Sequence, residues 1–159
     1  MNVLAASATP QLWGDLNAAW QQAVAAELRP GENLCATLEL DLDAQMQFQP
    51  GLLLVTDQRL LGFSAVHGPA HSWEYRPALA LDHHDHAGVG HLLLRDASGL
   101  LHRWCFTLGR NMHALRLLDQ FAARCTSAVS GVAVVAPAQA LCPGCKAPLE
   151  PDAEECAVC

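Results

Sequence analysis

From Leu34 to Asp43 the chain alternates without a fault, with Leu34, Ala36, Leu38, Leu40 and Leu42 set between Cys35, Thr37, Glu39, Asp41 and Asp43. Successive side chains of a strand point to opposite faces, so this pattern predicts a strand with one dry face and one wet face. Short runs separated by turn residues follow it. Gln49-Pro50-Gly51 breaks the chain, Leu52–Val55 has the unbroken apolar character of a buried strand, and Thr56-Asp57-Gln58 connects to a strand over Arg59–Ser64. His67-Gly68-Pro69 ends that strand. Further strands are predicted over Ser72–Arg76, Ala78–Leu81, His91–Arg95 and Leu100–Thr107. Asp96-Ala97-Ser98-Gly99 joins the last two as a hairpin, because glycine readily supplies the positive φ such loops need. Trp73 and Tyr75 share one side of their strand, as do Trp104 and Phe106, and both pairs read as core.

A helical period flanks this region on both sides. Leu12, Leu16, Trp20, Val24 and Leu28 recur every four residues, which predicts a helix from Thr9 to Leu28 with Thr9 as its cap and Pro10 at its first position. Arg29-Pro30-Gly31 stops it. The helix reads as docked on the body of the domain; the sharper reading makes it partner-binding, with Trp13 and Trp20 as anchors. After Gly109, the residues Met112, Leu115, Leu118, Ala122 and Cys125 lie three or four apart and predict an amphipathic helix. Strands first and a helix last point to a mainly β (α+β) fold, a curved antiparallel sheet or small barrel with the helix over one open end. The expected organisation is an N-terminal amphipathic helix over 1–29, a β domain with its capping helix over 30–126, a linker over 127–140 and a small C-terminal unit over 141–159.

That last unit reads Cys142-Pro143-Gly144-Cys145, ten further residues, then Cys156-Ala157-Val158-Cys159. Zinc takes four ligands in a tetrahedron and thiolates suit it, and two residues between paired cysteines let both sulfurs face one ion. A closed four-sulfur site leaves no position for water or substrate, so the expected zinc is structural and replaces a core the short tail cannot build. A redox use of C-x-x-C calls for a thioredoxin-like βαβ setting, which the flanking sequence does not offer. Because Cys159 is both a ligand and the final residue, the chain is expected to be the front part of a longer protein.

His83, His84 and His86 stand beside Asp82 and Asp85, and imidazole with carboxylate suits zinc, nickel or copper. In an extended strand His84 and His86 share one face and His83 takes the other, so the local metal site is at most partial. Cys35, Cys105 and Cys125 read as small buried hydrophobes. Neither a G-x-x-x-x-G-K phosphate loop nor a G-x-S-x-G nucleophile turn occurs.

Sixteen acidic against nine basic residues give a net charge of −7, and Lys146 is the single lysine. That balance opposes nonspecific attraction to nucleic acid or anionic lipid, leaving only a local basic face of Arg59, Arg76, Arg95 and Arg103 to consider. The first positive side chain is Arg29, so the basic start of a secretory signal is missing. Ala128–Leu141 is shorter than the roughly 20 apolar residues that cross a bilayer. The expected location is cytoplasmic.

Leu28-Arg29-Pro30-Gly31-Glu32, Leu54-Val55-Thr56-Asp57-Gln58-Arg59-Leu60-Leu61 and the Asp96–Gly99 hairpin with Trp104 and Phe106 together resemble the bacterial pleckstrin-homology-like domains over about residues 28–126. The resemblance implies a seven-stranded, partly open barrel capped by a C-terminal helix. The tail looks like a short zinc ribbon of the Cys-Pro-x-Cys type, with Lys146 where such ribbons often carry glycine. In this order the two resemble the N-terminal soluble extension of some bacterial ABC exporters that fuse permease and ATPase. The resemblance implies a non-catalytic regulatory or protein-interaction module, tethered to the inner membrane by a transmembrane region beyond Cys159. Its partner would be another protein or the rest of its own longer chain. Two alternatives remain: a lipid- or nucleic-acid-binding protein, and a metal-dependent enzyme using the His83–His86 region.

Overall fold

The computed structural model describes residues 10–131. The alternation of the first strand survives in three dimensions. Every second residue of β1 (Leu34–Leu42) is buried, and those between are half-buried. Six more strands follow: β2 (Phe48–Thr56), β3 (Arg59–Phe63), β4 (Ala70–Glu74), β5 (Ala80–His86), β6 (Val89–Asp96) and β7 (Gly99–Thr107). They form one antiparallel sheet in the order β4-β3-β2-β1-β7-β6-β5. β4 and β5 are its unpaired outer strands, so the sheet does not close. It does curl: Trp73 of β4 meets Trp104 of β7 edge to face at 5.4 Å, although three strands separate them in the hydrogen-bonded order.

The curl creates an inner face, where Leu38, Leu53, Leu60, Leu92, Leu94 and Phe106 pack together. One end of it is covered by α3 (Asn111–Ser130) through Ala114, Leu117 and Phe121. The sequence stripe of Met112, Leu115, Leu118, Ala122 and Cys125 is therefore displaced by a fraction of a turn. Met112 and Leu115 stay exposed, and Leu118 and Cys125 only flank the core. The helix has two adjoining apolar stripes, and the sheet selects the one where small Ala114 lets it approach and Phe121 meets Tyr75 at 5.8 Å. The helix runs to Ser130, past the expected boundary at 126, and Gly131 ends it with φ 67°, a left-handed conformation that glycine adopts at no steric cost.

The outer face of β2 and β3 carries a second core, in which Leu16, Trp20 and Val24 cover Leu52, Leu54, Leu61 and Phe63. With Leu53, Val55 and Leu60 on the inner face, these strands are buried on both sides, which is why Leu52–Val55 shows no alternation. The segment covering them is two helices rather than the single one expected: α1 (Pro10–Asp15) and α2 (Ala18–Glu27). Asn17 opens the second by accepting the Trp20 N–H at 3.0 Å. Gln21 donates to the carbonyls of Trp13 and Leu16 at 2.9 and 2.8 Å, so the junction leaves those groups satisfied. The four-residue stripe is kept across the break because both helices lie on the same sheet. Thr9, expected as a cap, lies outside the described residues.

Gln49-Pro50-Gly51, expected as a break, lies inside β2, where Gly51 pairs with Leu40. The histidine-rich stretch differs as well. Beyond the expected strand over Ala78–Leu81, Asp82–His86 is the body of β5, paired residue by residue with β6 from Ala80↔Arg95 to His86↔Val89. Its hairpin turns at Ala87 and Gly88, with φ 50° and 83°. Positive φ at both central positions gives the strand twist a tight hairpin requires. Alanine in the first of them hides the turn from a sequence reading.

Candidate functional site at the open end of the sheet

Alternation carries the inner-face residues of β4 and β7 away from α3 in layers. Tyr75 packs on Phe121 beneath the helix, Trp73 and Trp104 meet next, and His71 and His102 come last, at the end that α3 leaves open. The two imidazoles stack with centroids 5.5 Å apart, and each also lies on an indole: His71 on Trp73 at 5.9 Å, His102 on Trp104 at 4.6 Å. Gly62 makes room for this layer, because a Cβ there would sit 3.2 Å from the Trp104 ring. Burial, and then the charge of His71, push the His102 pKa below its ordinary 6.5, which favours the neutral imidazole, with one nitrogen donating and the other accepting.

Beside His102 and Trp104 a cavity of about 260 Å³ opens between the β1–β2 turn and the end of β3. Leu40, Leu42 and Phe63 contribute its apolar wall; Asp43, Gln45, Gln49 and Ser64 give it a polar rim. The turn is held by Asp43, whose carboxylate accepts the N–H groups of Gln45 and Gln47 at 2.9 Å. Gln49 donates to the Ser64 carbonyl at 3.1 Å and Arg103 to the Ala44 carbonyl at 3.2 Å, which ties the rim to β3 and β7. An apolar floor with convergent polar groups is how small-ligand and peptide sites are built.

Two of the three segments that carry the resemblance, 28–32 and 54–61, meet at the opposite end. Glu32 and Arg59 are buried, 0% and 6% exposed. Arg59 donates through Nε and Nη2 to the two oxygens of the Glu32 carboxylate at 2.9 and 3.0 Å. The same carboxylate accepts the Thr56 hydroxyl at 2.7 Å and the Arg29 N–H at 2.8 Å. Tyr75 donates its hydroxyl to the carbonyls of Thr56 and Arg59, and Asn33 is held by Asp57. These polar residues are spent on joining the helix–β1 connection to the β2–β3 turn.

Trp20 is 2% exposed and lies edge-on to Phe63 at 5.9 Å, so its ring serves the chain's own core rather than a partner. Trp13, half-buried, packs against the same core. The expected zinc ligands Cys142, Cys145, Cys156 and Cys159 lie outside the described residues. His83 and His84 divide as a strand requires: His83 stacks on Phe106 at 6.0 Å on the inner side, while His84 and His86 are exposed on the outer face. Among the described residues no three His, Cys, Asp or Glu side chains stand close enough together to hold a metal ion.

Cys105 lies 3.4 Å from His91 Nδ1, a contact the sequence spacing did not suggest. Its thiol is fully buried and burial raises its pKa, the reverse of what a nucleophile needs. Cys35 is likewise raised by burial, and Cys125 is pushed up to about 11. Nor do the four arginines considered as a basic face gather. Arg59 is buried on Glu32, Arg76 pairs with Asp96, Arg95 with Asp82, and Arg103 reaches the β1–β2 turn. No helix among the described residues is long and apolar enough to cross a membrane.

No protein-family model, curated protein or solved structure matches the chain.

Proposed function

We propose that the chain is a non-catalytic interaction and regulatory module, a pleckstrin-homology-like curled sheet followed by a four-cysteine zinc ribbon. The observation that carries the reading is the asymmetry of the curled sheet. α3 packs over one end of the inner face, while the other end keeps a cavity lined by Trp104 and His102 with a polar rim; a larger recess of about 570 Å³ lies outside, between α1, β1 and α3. A fold covered at one end and recessed at the other presents a binding surface held by a rigid scaffold. The strand order and the terminal helix agree with the resemblance of residues 28–126, and the buried Glu32–Arg59 pair gives its motifs a folding role.

The proposed setting is the cytoplasmic, N-terminal part of a bacterial exporter that fuses permease and ATPase, with one structural zinc held by Cys142, Cys145, Cys156 and Cys159. The order of the two units along the sequence supports this placement. The recess would take a loop of the attached permease or of a partner protein.

The decisive experiment is on the intact protein in lipid vesicles. Membrane-spanning segments and a phosphate-binding loop are expected in the same reading frame after Cys159. Deleting residues 1–159 is expected to change substrate-stimulated ATP hydrolysis by about fivefold or more, the size of an ordinary coupling between sites. A reading frame without those segments, or unaltered hydrolysis after the deletion, overturns the exporter role.

A further inference from the structure

The register of β5, β6 and β7 sets three residues in one row across adjacent strands: His84 opposite His91, and His91 opposite Cys105. Directly paired residues of antiparallel strands project from the same face, with Cβ atoms about 4.5–5.5 Å apart. His86, two residues beyond His84, returns to that same outer face. The arrangement is thus an H-x-H pair on one strand with a third imidazole on its neighbour.

We propose that His84, His86 and His91 form a three-imidazole site for a divalent transition metal such as zinc, with Cys105 as the positioning residue behind His91. Three imidazoles with water in a fourth position are a donor set that zinc accepts and that leaves it open to a further ligand. Cys105 decides which nitrogen is offered. Its sulfur lies at 3.4 Å from Nδ1, which leaves Nε2, the nitrogen farther from the backbone, for the ion. With Nε2 on a metal, Nδ1 holds the proton and donates it to the sulfur, and such partners fix the tautomer and orientation of metal-bound histidines. The sulfur itself is fully buried.

In their present rotamers the three rings do not converge. His84 and His86 are exposed, and staggered alternatives are open to them at small cost. Arg103, two residues from Cys105 on β7, donates to the Ala44 carbonyl at 3.2 Å. Asp85 lies 3.0 Å from His83 Nε2, on the strand's other side.

The test is a zinc titration of the intact chain, followed through the imidazole resonances of each histidine. The expected result is that His84, His86 and His91 respond together and saturate at one ion. His84→Gln and His91→Gln should each weaken that response by about tenfold or more, and Cys105→Val by about 10–100-fold while Cys105→Ser retains it, as for partners that orient a metal-bound histidine. His84 is exposed, so its replacement leaves the core intact and keeps the test valid should the His91 variant misfold. A response of His84 and His86 without His91 overturns the site, as does zinc uptake by cysteines alone with all imidazoles unchanged. The readout is separate from the tail, since replacing Cys142 and Cys145 by serine abolishes sulfur-bound zinc and should leave the imidazole response as it was.

Discussion

Replacing Glu32 by alanine is expected to be among the most costly single changes in the chain. It removes a fully buried carboxylate that accepts two bonds from Arg59, one from the Thr56 hydroxyl and one from the Arg29 N–H. The guanidinium stays behind, 6% exposed, with two of its donors unpartnered. Breaking a buried pair in this way costs about 3–5 kcal/mol, against a total stability of about 5–15 kcal/mol for a domain. With a urea dependence of about 2 kcal/mol per molar, a loss of 4 kcal/mol lowers the unfolding midpoint by about 2 M. Replacing both residues, as in Glu32→Met with Arg59→Met, is expected to cost less than Glu32→Ala, because no charge is stranded and the Thr56 hydroxyl still reaches the residue 59 carbonyl.

The pair also sets an acid limit. Burial by itself pushes the Glu32 pKa up. The hydrogen bonds from Arg59, the Arg29 N–H and Thr56, with the Arg59 charge, overcome it, and the carboxyl ends below its ordinary 4.5. A carboxylate depressed on folding contributes stability above its unfolded pKa and loses it as the pH falls through the folded value. Urea unfolding of the wild type and Glu32→Gln should therefore differ most at neutral pH and converge below pH 4.5. A cost for Glu32→Ala under about 1 kcal/mol, or a gap from Glu32→Gln that is the same at both pH values, would refute the reasoning.

Gly90 faces the Phe106 ring so closely that a Cβ would lie 2.4 Å from it. Gly90→Ala should lose about 1–3 kcal/mol through overpacking, and Gly62→Ala, at 3.2 Å from Trp104, should cost less than Gly90→Ala in the same urea assay. Trp20→Ala opens the outer core and should cost about 3–5 kcal/mol by thermal unfolding, while binding of any partner at the open end persists in the folded fraction. By NMR titration His102 should protonate below pH 6.5, and His71→Ala should raise its midpoint part of the way back, because burial is the larger cause. Since His102 is depressed on folding, stability should be full above pH 6.5 and decline as the pH falls below it; His102→Asn should remove that share of the decline.

The strands of highest contrast were legible because alternation is a local property. β1 was bounded within a residue of its observed end, and the Asp96–Gly99 hairpin and the buried run at Leu52–Val55 were plain. The expected core residues Trp104 and Phe106 are core, and Trp73 and Tyr75 pack against it. Where the reading slipped, a nonlocal partner had decided. α3 presents Ala114, Leu117 and Phe121 rather than the adjoining stripe because the open end of the sheet selects among apolar faces. α1 and α2 divide at Asn17 because side-chain caps from Asn17 and Gln21 substitute for helix hydrogen bonds.

By itself, the sequence determined that the chain is mainly β with helical segments before and after the strands, and it placed most of the strands, for each follows from a period of 2 or 3.6 residues. The tertiary structure alone decided which distant groups meet. Glu32 is joined to Arg59 across 27 residues, His71 to His102 through a curl that spans the sheet, and His84 to His91 and Cys105 through strand register. Periodicity fixes the direction a side chain takes from its own backbone. Only strand pairing and the curl of the sheet determine what it finds there.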